Sequence, residues 1–336
     1  MSSFEFIARH WSRRDALALA LYPASLLFRL LVALRRQAFR LGLFRSTRLA
    51  VPVIVVGNLT VGGSGKTPLV IALARELARR GLRAGIVSRG YGGTGSAPCE
   101  VSALGEAADS GDEPLLLAMR SGCPVWVGRD RAAVGAALLA AHPDCTVLLL
   151  DDGLQHYALA RDFEIAVEDD RGLGNGLMLP AGPLREPATR AVDARVINTA
   201  ASAPSLDSAN ALGRFGMRLV TRRIYRLDLP ERELAPSALA GLRVHAVAGI
   251  GNPARFFAQI AATGLACVPH AFPDHHMFSR EDLRFDDCDA VLMTEKDAVK
   301  CRHFGRADLY ALEVDAEVDP ALIELIMKRI HGRPPS

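Results

Sequence analysis

The chain has 336 residues, about twice a typical domain length, which predicts two domains. Half of the residues are hydrophobic and 23% are charged, so the composition is that of a globular protein and excludes a disordered or collagen-like chain. The net charge of +3 is too balanced over the whole chain to indicate nucleic-acid binding.

The cysteine pattern indicates a reduced protein. Six cysteines are spread through the chain and none forms a Cys-x-x-Cys pair, so neither a disulfide framework nor a zinc site is expected. We expect reduced, cytosolic thiols. No cleavable signal is evident, because the first apolar run is followed by arginine-rich sequence and not by a small-residue cleavage site.

The N-terminal segment combines positive charge with an apolar run. Residues 1–50 hold nine arginines and two acids, hence a local charge of +7; since the whole chain carries +3, the remainder carries −4. This asymmetry predicts that the N-terminus meets an acidic surface. Residues 16–34 form an apolar stretch whose single charge is Arg29, and as a helix it spans about 28 Å. Arg29 and Pro23 within it argue against a membrane span.

Helical geometry separates the polar and apolar side chains of this segment. At 100° per residue, one stripe collects the polar residues Asp15, Tyr22, Ser25, Arg29, Arg36 and Arg40. The leucines that point away from the stripe are Leu19, Leu27, Leu30, Leu31 and Leu34. We predict an amphipathic helix with a basic edge that lies in a membrane interface, within a segment covering residues 1–48. The alternatives are a helix that packs its leucine face on the protein and a helix that spans the membrane.

From residue 51 onwards the chain alternates predicted strands and helices, which indicates an α/β fold with a parallel sheet covered on both faces. Strands are predicted at 51–56, 83–88, 124–127, 146–150, 164–168, 243–249, 290–294 and 309–313. Helices are predicted at 66–80, 113–121, 129–141, 253–262 and 321–330. Residues 170–187 break this pattern with four glycines and three prolines, which indicates a functional segment or a domain junction. Residues 200–210 are predicted to form a loop.

The strongest motif is a glycine-rich turn between a strand and a helix, where residues 53–67 read VIVVGNLTVGGSGKT. This is the context of a P-loop, whose backbone N–H groups and helix dipole bind phosphate. Lys66 is expected to reach the β- and γ-phosphates and Thr67 to ligate Mg²⁺. The predicted nucleotide-binding residues are Thr60, Val61, Gly62, Gly63, Ser64, Gly65, Lys66 and Thr67. Since Thr60 stands where the strict pattern G-x-x-x-x-G-K-[ST] requires glycine, a turn without nucleotide is the alternative.

An acidic pair follows the strand predicted at 146–150. Asp151 and Asp152 come at its carboxyl end, where P-loop proteins place an acid that holds Mg²⁺ or its water. Aspartates at strand ends are also common turn formers, but beside the P-loop we interpret them as metal-side acids. The sequence therefore predicts a site for ATP or GTP with Mg²⁺.

Three weaker patterns have structural alternatives. Asp112 and Glu113 precede an apolar helix, where acids favour the helix dipole or, alternatively, accept a hydroxyl proton. Residues 272–278 read FPDHHMF, which indicates a structural or catalytic role; neighbouring side chains diverge too much for a typical metal site. Residues 249–254 match the dinucleotide pattern G-x-G-x-x-[GA] weakly, because Pro253 also fits the first turn of an ordinary helix.

Four further charges lie at positions typical of ligand binding. Arg185 and Glu186 lie in the Gly/Pro-rich stretch, and Arg89 and Arg129 follow predicted strands at the sheet edge where α/β proteins bind ligands. Each alone is typical of a solvated charge. Together, the arginines are suited to binding anionic groups of a substrate.

These motifs together resemble the tetraacyldisaccharide 4′-kinase family, the lipid A 4′-kinases of Gram-negative bacteria. The resemblance runs from the N-terminal helix to the last predicted strand. Its most specific segments are VGNLTVGGSGKTP (56–68), SRGYGG (88–93), GDEP (111–114), DDGLQH (151–156), LPAGPLREP (179–187) and FPDHHMF (272–278). The absent first glycine of the phosphate loop is similar to this family's own variant.

The resemblance implies ATP-dependent phosphorylation of the 4′-hydroxyl of tetraacyldisaccharide 1-phosphate, which gives lipid IVA. It implies a P-loop NTPase-like α/β/α domain at 49–169, an active-site junction at 170–200 and a second, smaller α/β domain at 201–336 that closes the cleft. It also implies ATP and Mg²⁺ as cofactors. The enzyme would be peripheral on the cytoplasmic face of the bacterial inner membrane, held there by its N-terminal helix. No nucleic acid and no obligate protein partner is expected.

The roles of single residues also follow from the resemblance. The implied catalytic residues are Asp112, His275, Lys66, Arg185 and Glu186. The implied metal-side residues are Thr67, Asp151, Asp152 and Glu113. Two more residues are implied near the phosphates, Gln155 and His156. In the implied carboxylate–histidine pair, which positions and deprotonates the sugar hydroxyl, we favour His275 over His276 as the partner of Asp112.

Three other functions fit parts of the sequence. A P-loop ATPase or GTPase that works through a protein partner would use the N-terminal helix for docking. A nucleotide-dependent ligase would act on a soluble metabolite with the same phosphate loop. A dinucleotide-binding module would use residues 249–254 instead.

Overall fold

The computed structural model describes residues 10–90, 97–199 and 213–332. The predicted loop at 200–210 and the last three residues of the motif at 88–93 lie outside these ranges. The helices within them are α1 Ala16–Arg40, α2 Lys66–Arg79, α3 Ala107–Ser110, α4 Asp112–Ser121, α5 Arg131–Ala141, α6 Pro253–Ala262, α7 Glu295–Cys301 and α8 Pro320–His331.

The strands are β1 Val53–Gly57, β2 Ala84–Ser88, β3 Cys99–Glu100, β4 Val125–Val127, β5 Val147–Asp151, β6 Phe163–Asp169, β7 Ala194–Asn198, β8 Arg214–Arg226, β9 Leu229–Leu234, β10 Val244–Ala248, β11 Val268–Ala271, β12 Ala290–Thr294 and β13 Leu309–Val318. Short 3₁₀ turns cover Pro236–Leu239 and Arg302–Phe304.

All of the strands in the described residues belong to one sheet. Its order is β11-β10-β12-β13-β8-β7-β6-β1-β5-β2-β4-β3, with β9 paired to β8. The strands from β8 to β4 in this order run parallel, and so do those from β11 to β13. Antiparallel pairing of the long strands β8 and β13 joins these two halves. Loops at the carboxyl ends of both halves meet, because Gly251, after β10, lies against the backbone of Gly63, after β1.

Helices cover both faces of each half of the sheet. In the first half, buried side chains of α2 and α8 pack on one face and those of α5 on the other. In the second half, α6 packs on one face and α7 on the other. Strands such as β1 and β5 are buried at every position, which is the pattern of strands covered on both sides. The predicted α/β fold class is confirmed.

Seven elements lie where none was predicted: β3, α3, β7, β8, β9, β11 and α7. Strand β7 falls within the predicted junction at 170–200. Strand β8 carries five arginines among its 13 residues, and its apolar alternation is short, covering only Phe215, Met217 and Leu219. Helix α7 reads EKDAVKC, a polar sequence typical of an exposed turn, yet most of it is buried. The remaining predicted elements are present. Helix α1 covers the predicted stripe as far as Arg40, and β13 is longer than predicted, continuing to Val318.

Helix α1 lies with one narrow face on the protein and its leucines in solvent. Phe28 and Val32 pack against the core, and Ser25 Oγ donates a hydrogen bond to the carbonyl of Met178 at 2.7 Å. Leu19, Leu27, Leu30, Leu31 and Leu34 are each more than half exposed. The alternative in which the leucine face packs on the protein is therefore wrong.

Only part of the polar stripe predicted on α1 faces water. Ser25 is buried, and Arg36 lies 3.9 Å from the buried carboxylate of Glu186, because this side of the helix rests on the Gly/Pro-rich segment. Arg29 and Arg40 of the stripe are exposed. Within the described residues, α1 is the one helix whose length and apolar composition suit a membrane span, and little of it is buried in the protein.

Candidate active site

The phosphate loop connects β1 to α2 and depends on two glycines. Gly62 and Gly65 have φ values of +95° and +92°, which other residues rarely adopt. The side-chain amide of Asn58 donates to the carbonyl of Gly62, and that of Asn198 donates to the carbonyl of Ser64, both at 2.9 Å. A Cβ on Gly65 would lie 2.3 Å from Nδ2 of Asn198. With its carbonyls occupied in this way, the loop is suited to presenting N–H groups to an anion at the start of α2.

The Gly/Pro-rich segment supports the other side of this loop. The N–H of Val61 donates to the carbonyl of Pro183 at 2.9 Å, and Thr60 forms a β-bridge with Leu184. Arg171 donates to the carbonyl of Gly63 at 2.6 Å and reaches the second half of the sheet through the carbonyl of Gly251 at 3.2 Å. The segment therefore supports the phosphate loop and does not form a free linker.

The two strand-end acids differ in environment. Asp152, at a positive φ of 49°, has Lys66 Nζ at 3.5 Å and Arg185 at 2.8 Å. Burial raises the pKa of Asp152, but these two cations outweigh it and hold the pKa well below its usual range. Burial and the nearby Glu113 raise the pKa of Asp151, whose Oδ1 has no hydrogen-bond partner among the described residues. Asp151 is therefore a buried carboxyl with one oxygen free to take a further partner.

The residues present fit Mg²⁺. This ion takes one or two carboxylates and draws its other ligands from phosphate oxygens and water. The buried, unpartnered Oδ1 of Asp151 next to the P-loop matches that requirement. Among the residues that the structure describes, no group of three or more His, Cys, Asp or Glu side chains would hold a metal by itself.

Asp112 and His275 meet across the cleft from the two halves of the sheet. Nδ1 of His275 lies 3.1 Å from both carboxylate oxygens of Asp112. Asp112 is the first residue of α4 and follows Gly111, which has a φ of +94°. His275 itself has a φ of +60°, a backbone conformation that is costly outside glycine and frequent at functional sites. Of the two adjacent histidines, His276 instead contacts Asp282 at 3.2 Å.

The pKa values of this pair follow from their mutual contact. Burial raises the pKa of Asp112, but the hydrogen bond from His275 and the charges of Lys296 and Lys300 outweigh it, so the pKa lies below its usual range. The same hydrogen bond raises the pKa of His275, against burial and the charge of Lys296. Asp112 is therefore a carboxylate at neutral pH.

Sequence reasoning missed the lysines that flank this pair. Lys296 Nζ contacts Glu113 at 2.9 Å and Asp274 and His275 Nε2 at 3.3 Å each. Lys300, almost fully buried, contacts Asp297 at 2.8 Å and lies 3.8 Å from Asp112. One signal was available, since only four of the 40 basic residues are lysines and three of those four lie in this site.

The other predicted residues lie on the side of the site that faces α1. Gln155 donates to the carbonyl of Asn58 at 3.3 Å, next to the phosphate loop. Burial and Arg131 lower the pKa of His156 to about 4, so this side chain is neutral. Glu186 is buried against Tyr157 at 2.5 Å and Arg190 at 2.7 Å. The structure thus brings Arg185 to the phosphate loop and places Glu186 in a separate buried cluster.

The arginines predicted to bind anionic groups differ in how far they are exposed. Arg89 and Arg129 are exposed, as expected of solvated charges. Arg131, which had been predicted only as part of a helix, is buried at the start of α5, and its Nε has no partner within the described residues. Its pKa is lowered by burial and by Arg89.

A cavity opens beside the phosphate loop towards the second half of the sheet. Apolar side chains on its wall come from both halves, with Ile71 on one side and Ile250 and Phe256 on the other. Arg255 lies at its rim and donates to Asn198, the residue that also supports the loop. The cleft therefore contains a phosphate site, an apolar pocket and a carboxylate–histidine pair.

Comparisons with known proteins point to one family of kinases. The family model described as LpxK, tetraacyldisaccharide-1-P 4′-kinase, matches residues 17–331. A tetraacyldisaccharide 4′-kinase of Azoarcus sp. (strain BH72) is 52% identical over 97% of this chain and 96% of that protein. One of Dechloromonas aromatica (strain RCB) is 49% identical over 98% of each. A crystal structure of LpxK from Aquifex aeolicus in complex with ATP is 30% identical, with a TM-score of 0.78 over 94% of this chain and 99% of that one.

The fold and the site define a P-loop kinase. A glycine-rich loop before a helix, acids at the end of a neighbouring strand and a carboxylate–histidine pair across the cleft together have the layout of a phosphoryl-transfer site. The chain belongs to the tetraacyldisaccharide 4′-kinase family, because the family model and relatives of about 50% identity cover nearly all of it. The resemblance drawn from the sequence is confirmed, and the ATPase, ligase and dinucleotide-binding alternatives are not favoured.

Proposed function

We propose that this chain transfers the γ-phosphoryl group of ATP to the 4′-hydroxyl of tetraacyldisaccharide 1-phosphate in the cleft between the phosphate loop and the Asp112–His275 pair. As a member of its family it is an ATP- and Mg²⁺-dependent phosphotransferase of lipid A biosynthesis. The observation that carries the assignment of roles is the meeting of Asp112 and His275, which are 163 positions apart in the chain, beside the phosphate loop.

The phosphate loop and its neighbours bind the nucleotide in this proposal. Residues 60–67 surround the phosphates, with Lys66 on the β- and γ-phosphates and Thr67 and Asp151 on the Mg²⁺ side. The unpartnered Oδ1 of Asp151 supports its place next to the ion, whereas Asp152 already has Lys66 and Arg185 as partners. When bound, Mg²⁺ supplies charge that offsets the developing charge on the phosphates.

Asp112 acts as the acceptor for the hydroxyl proton. A sugar hydroxyl loses its proton only as the new bond forms, so the acceptor needs alignment more than strength. Asp112 meets this need, because its lowered pKa keeps it ionised and the hydrogen bond from His275 fixes its direction. The family resemblance implied that Glu113 is a metal-side residue. In this proposal Glu113 instead supports the pair through its contact with Lys296.

The predicted domains at 49–169 and 201–336, with the segment at 170–200 between them, correspond only in part to the two halves of the sheet, because β8 and α8 lie beyond residue 201 but belong to the first half. We take the two halves as the two sides of the cleft. The first supplies Asp112 and the second His275, so the pair is complete only when the halves are together. Contact of Arg171 with the loops of both halves supports this arrangement. Closing the cleft would also exclude water from the transfer.

The enzyme is peripheral on the cytoplasmic face of the inner membrane, with α1 lying in the interface. Its exposed leucines offer apolar area to the acyl region, and Arg29, Arg35 and Arg40 of the same helix are exposed to anionic headgroups. A lipid with four acyl chains stays in the bilayer, so the site must come to it. We assign the substrate's 1-phosphate to the arginines that follow the strands, Arg89 and Arg129, together with the buried Arg131, which interacts with Arg89 and with both strand-end acids.

The test is transfer of label from γ-labelled ATP to tetraacyldisaccharide 1-phosphate in detergent. We expect a labelled lipid product with the native chain and none with Lys66→Ala. For Asp112→Asn we expect kcat to fall about 10³-fold and for His275→Ala about 10²-fold, which is within the range for acid–base groups. Near-normal turnover of both variants would refute their roles. ATP hydrolysis without labelled lipid would favour an ATPase that acts through a protein partner.

A further inference from the structure

Lysine is rare in this chain and concentrated at the site. Of the 40 basic residues four are lysines: Lys66 in the phosphate loop, Lys296 and Lys300 on α7, and Lys328, which is exposed on α8. Arginine serves at all the other basic positions. An ammonium differs from a guanidinium in being a compact charge with three donors that are not held in one plane, so the contacts of Lys296 are informative.

Lys296 has one acceptor for each of its three N–H donors. Its Nζ lies 2.9 Å from Oε1 of Glu113, 3.3 Å from Oδ1 of Asp274 and 3.3 Å from Nε2 of His275. The side chain is 16% exposed, so water has little access to replace these partners. Since an ammonium has no lone pair, each of these three atoms must accept.

The acceptor role of Nε2 decides the form of the histidine ring. The bond to Asp112 raises the pKa of His275, but a doubly protonated ring would point an N–H at the ammonium of Lys296, so this contact requires the neutral ring. A neutral imidazole has one donor and one acceptor nitrogen. With Nε2 accepting from Lys296, the proton is on Nδ1, which lies 3.1 Å from both oxygens of Asp112 and donates to them. A proton on Nε2 would set two donors against each other and would turn the lone pair of Nδ1 towards a carboxylate.

We propose that Lys296 is a positioning residue for phosphoryl transfer, which holds His275 in the Nδ1–H form and so keeps Asp112 as the acceptor of the 4′-hydroxyl proton. This inference rests on the proposed function. As the bond from the sugar oxygen to the γ-phosphorus forms, the bond from that phosphorus to the β–γ bridging oxygen breaks and ADP leaves with the electron pair. The hydroxyl proton passes to Asp112, and His275 keeps its own proton throughout.

The loop that carries His275 is held independently of Lys296. The N–H of His275 donates to the carbonyl of Gly249 at 3.1 Å, and the N–H of Gly249 donates to Asp297 at 2.9 Å. Asp297 is in turn paired with the buried Lys300 at 2.8 Å. Removal of the Lys296 amine therefore leaves the backbone of the loop in place, and a loss of activity in such a variant is separable from a loss of fold.

The variants Lys296→Met and Lys328→Met provide the test, the second as a matched loss of an exposed lysine. In full-length protein with ¹⁵N-labelled histidine, assigned by the signal lost in His275→Asn, we expect one protonated and one unprotonated ring nitrogen in the native chain and two protonated nitrogens in Lys296→Met. The kcat of Lys296→Met should fall about 10²-fold at unchanged KM for ATP. Lys296→Arg, which retains the charge and some donors, should recover part of kcat, and Lys328→Met should behave as the native chain.

A native His275 with its proton on Nε2, or with both nitrogens protonated, would overturn the inference. So would a Lys296→Met variant with native kcat. The spectra are recorded on the resting enzyme, so they decide the form of the ring even where the Asp112→Asn and His275→Ala assays refute the proposed roles. Loss of turnover in those two variants together with native turnover in Lys296→Met refutes this inference alone.

Discussion

Replacing four leucines of α1 with glutamine should separate membrane binding from catalysis. Leu27, Leu30, Leu31 and Leu34 are between 54% and 58% exposed, on the side opposite the face that packs on the protein. Complete burial of a leucine side chain contributes about 1.5–3 kcal/mol. Burying the exposed half in a bilayer is therefore worth about 1 kcal/mol for each residue and about 4 kcal/mol for the four. That corresponds to a loss of about 10³-fold in vesicle partitioning.

The assay is sedimentation with vesicles that contain anionic lipid, followed by kinase assays with two forms of the substrate. We expect the quadruple variant to remain in the supernatant and to lose activity on substrate embedded in vesicles, while retaining kcat on substrate dispersed in detergent. Leu104→Gln is the control, since Leu104 is 90% exposed but lies away from α1. Binding within threefold of the native chain would refute the reasoning, because it would mean that the exposed leucines do not enter the membrane.

Three further results are expected. Gly65→Ala should abolish ATP binding in calorimetry, because position 65 has a positive φ and the added Cβ would lie 2.3 Å from the side chain of Asn198. The control is Gly81→Ala, which should retain binding because Gly81 has a similar φ but open space around it. His156 has a pKa lowered to about 4 from 6.5, so between these two pH values the folded state binds fewer protons than the unfolded state. The free energy of unfolding should therefore fall as the pH drops from 6.5 to 4, and His156→Gln should weaken this dependence in urea unfolding. Tyr157→Phe removes a hydrogen bond to the buried Glu186 and should lower the free energy of unfolding by about 1–3 kcal/mol.

The nucleotide half of the site was predictable because its residues are neighbours in sequence. An apolar strand, three glycines and Gly-Lys-Thr specify the loop locally, and Asp151 follows another apolar strand that must lie in the same sheet. The acceptor half depends on contacts between distant segments. Asp112 and His275 were paired only through the family resemblance, since nothing in the spacing of residues 163 positions apart indicates that they meet.

Among the elements that were missed, α7 has a polar sequence that the fold buries, whereas β3, β9 and β11 are short and largely exposed. In α7 the charges of Glu295, Asp297 and Lys300 are buried because they are paired, Glu295 with Arg120 and Lys300 with Asp297. A pattern of hydrophobic residues cannot reveal such a helix, since its burial is stabilised by partners elsewhere in the chain. The strand β8 was missed for a related reason, as three of its arginines, Arg218, Arg222 and Arg223, pair with acids on β13.

The scarcity of lysine has a consequence for chemical labelling. Three side-chain amines lie in the cleft, at 12%, 16% and 1% exposure for Lys66, Lys296 and Lys300, whereas Lys328 is exposed on α8. An amine-directed reagent used sparingly should therefore modify one side chain, on the outer surface of the helix that covers the first half of the sheet. A fluorophore or a surface tether attached there would leave the cleft free. The same reagent in excess would report whether bound nucleotide shields Lys66.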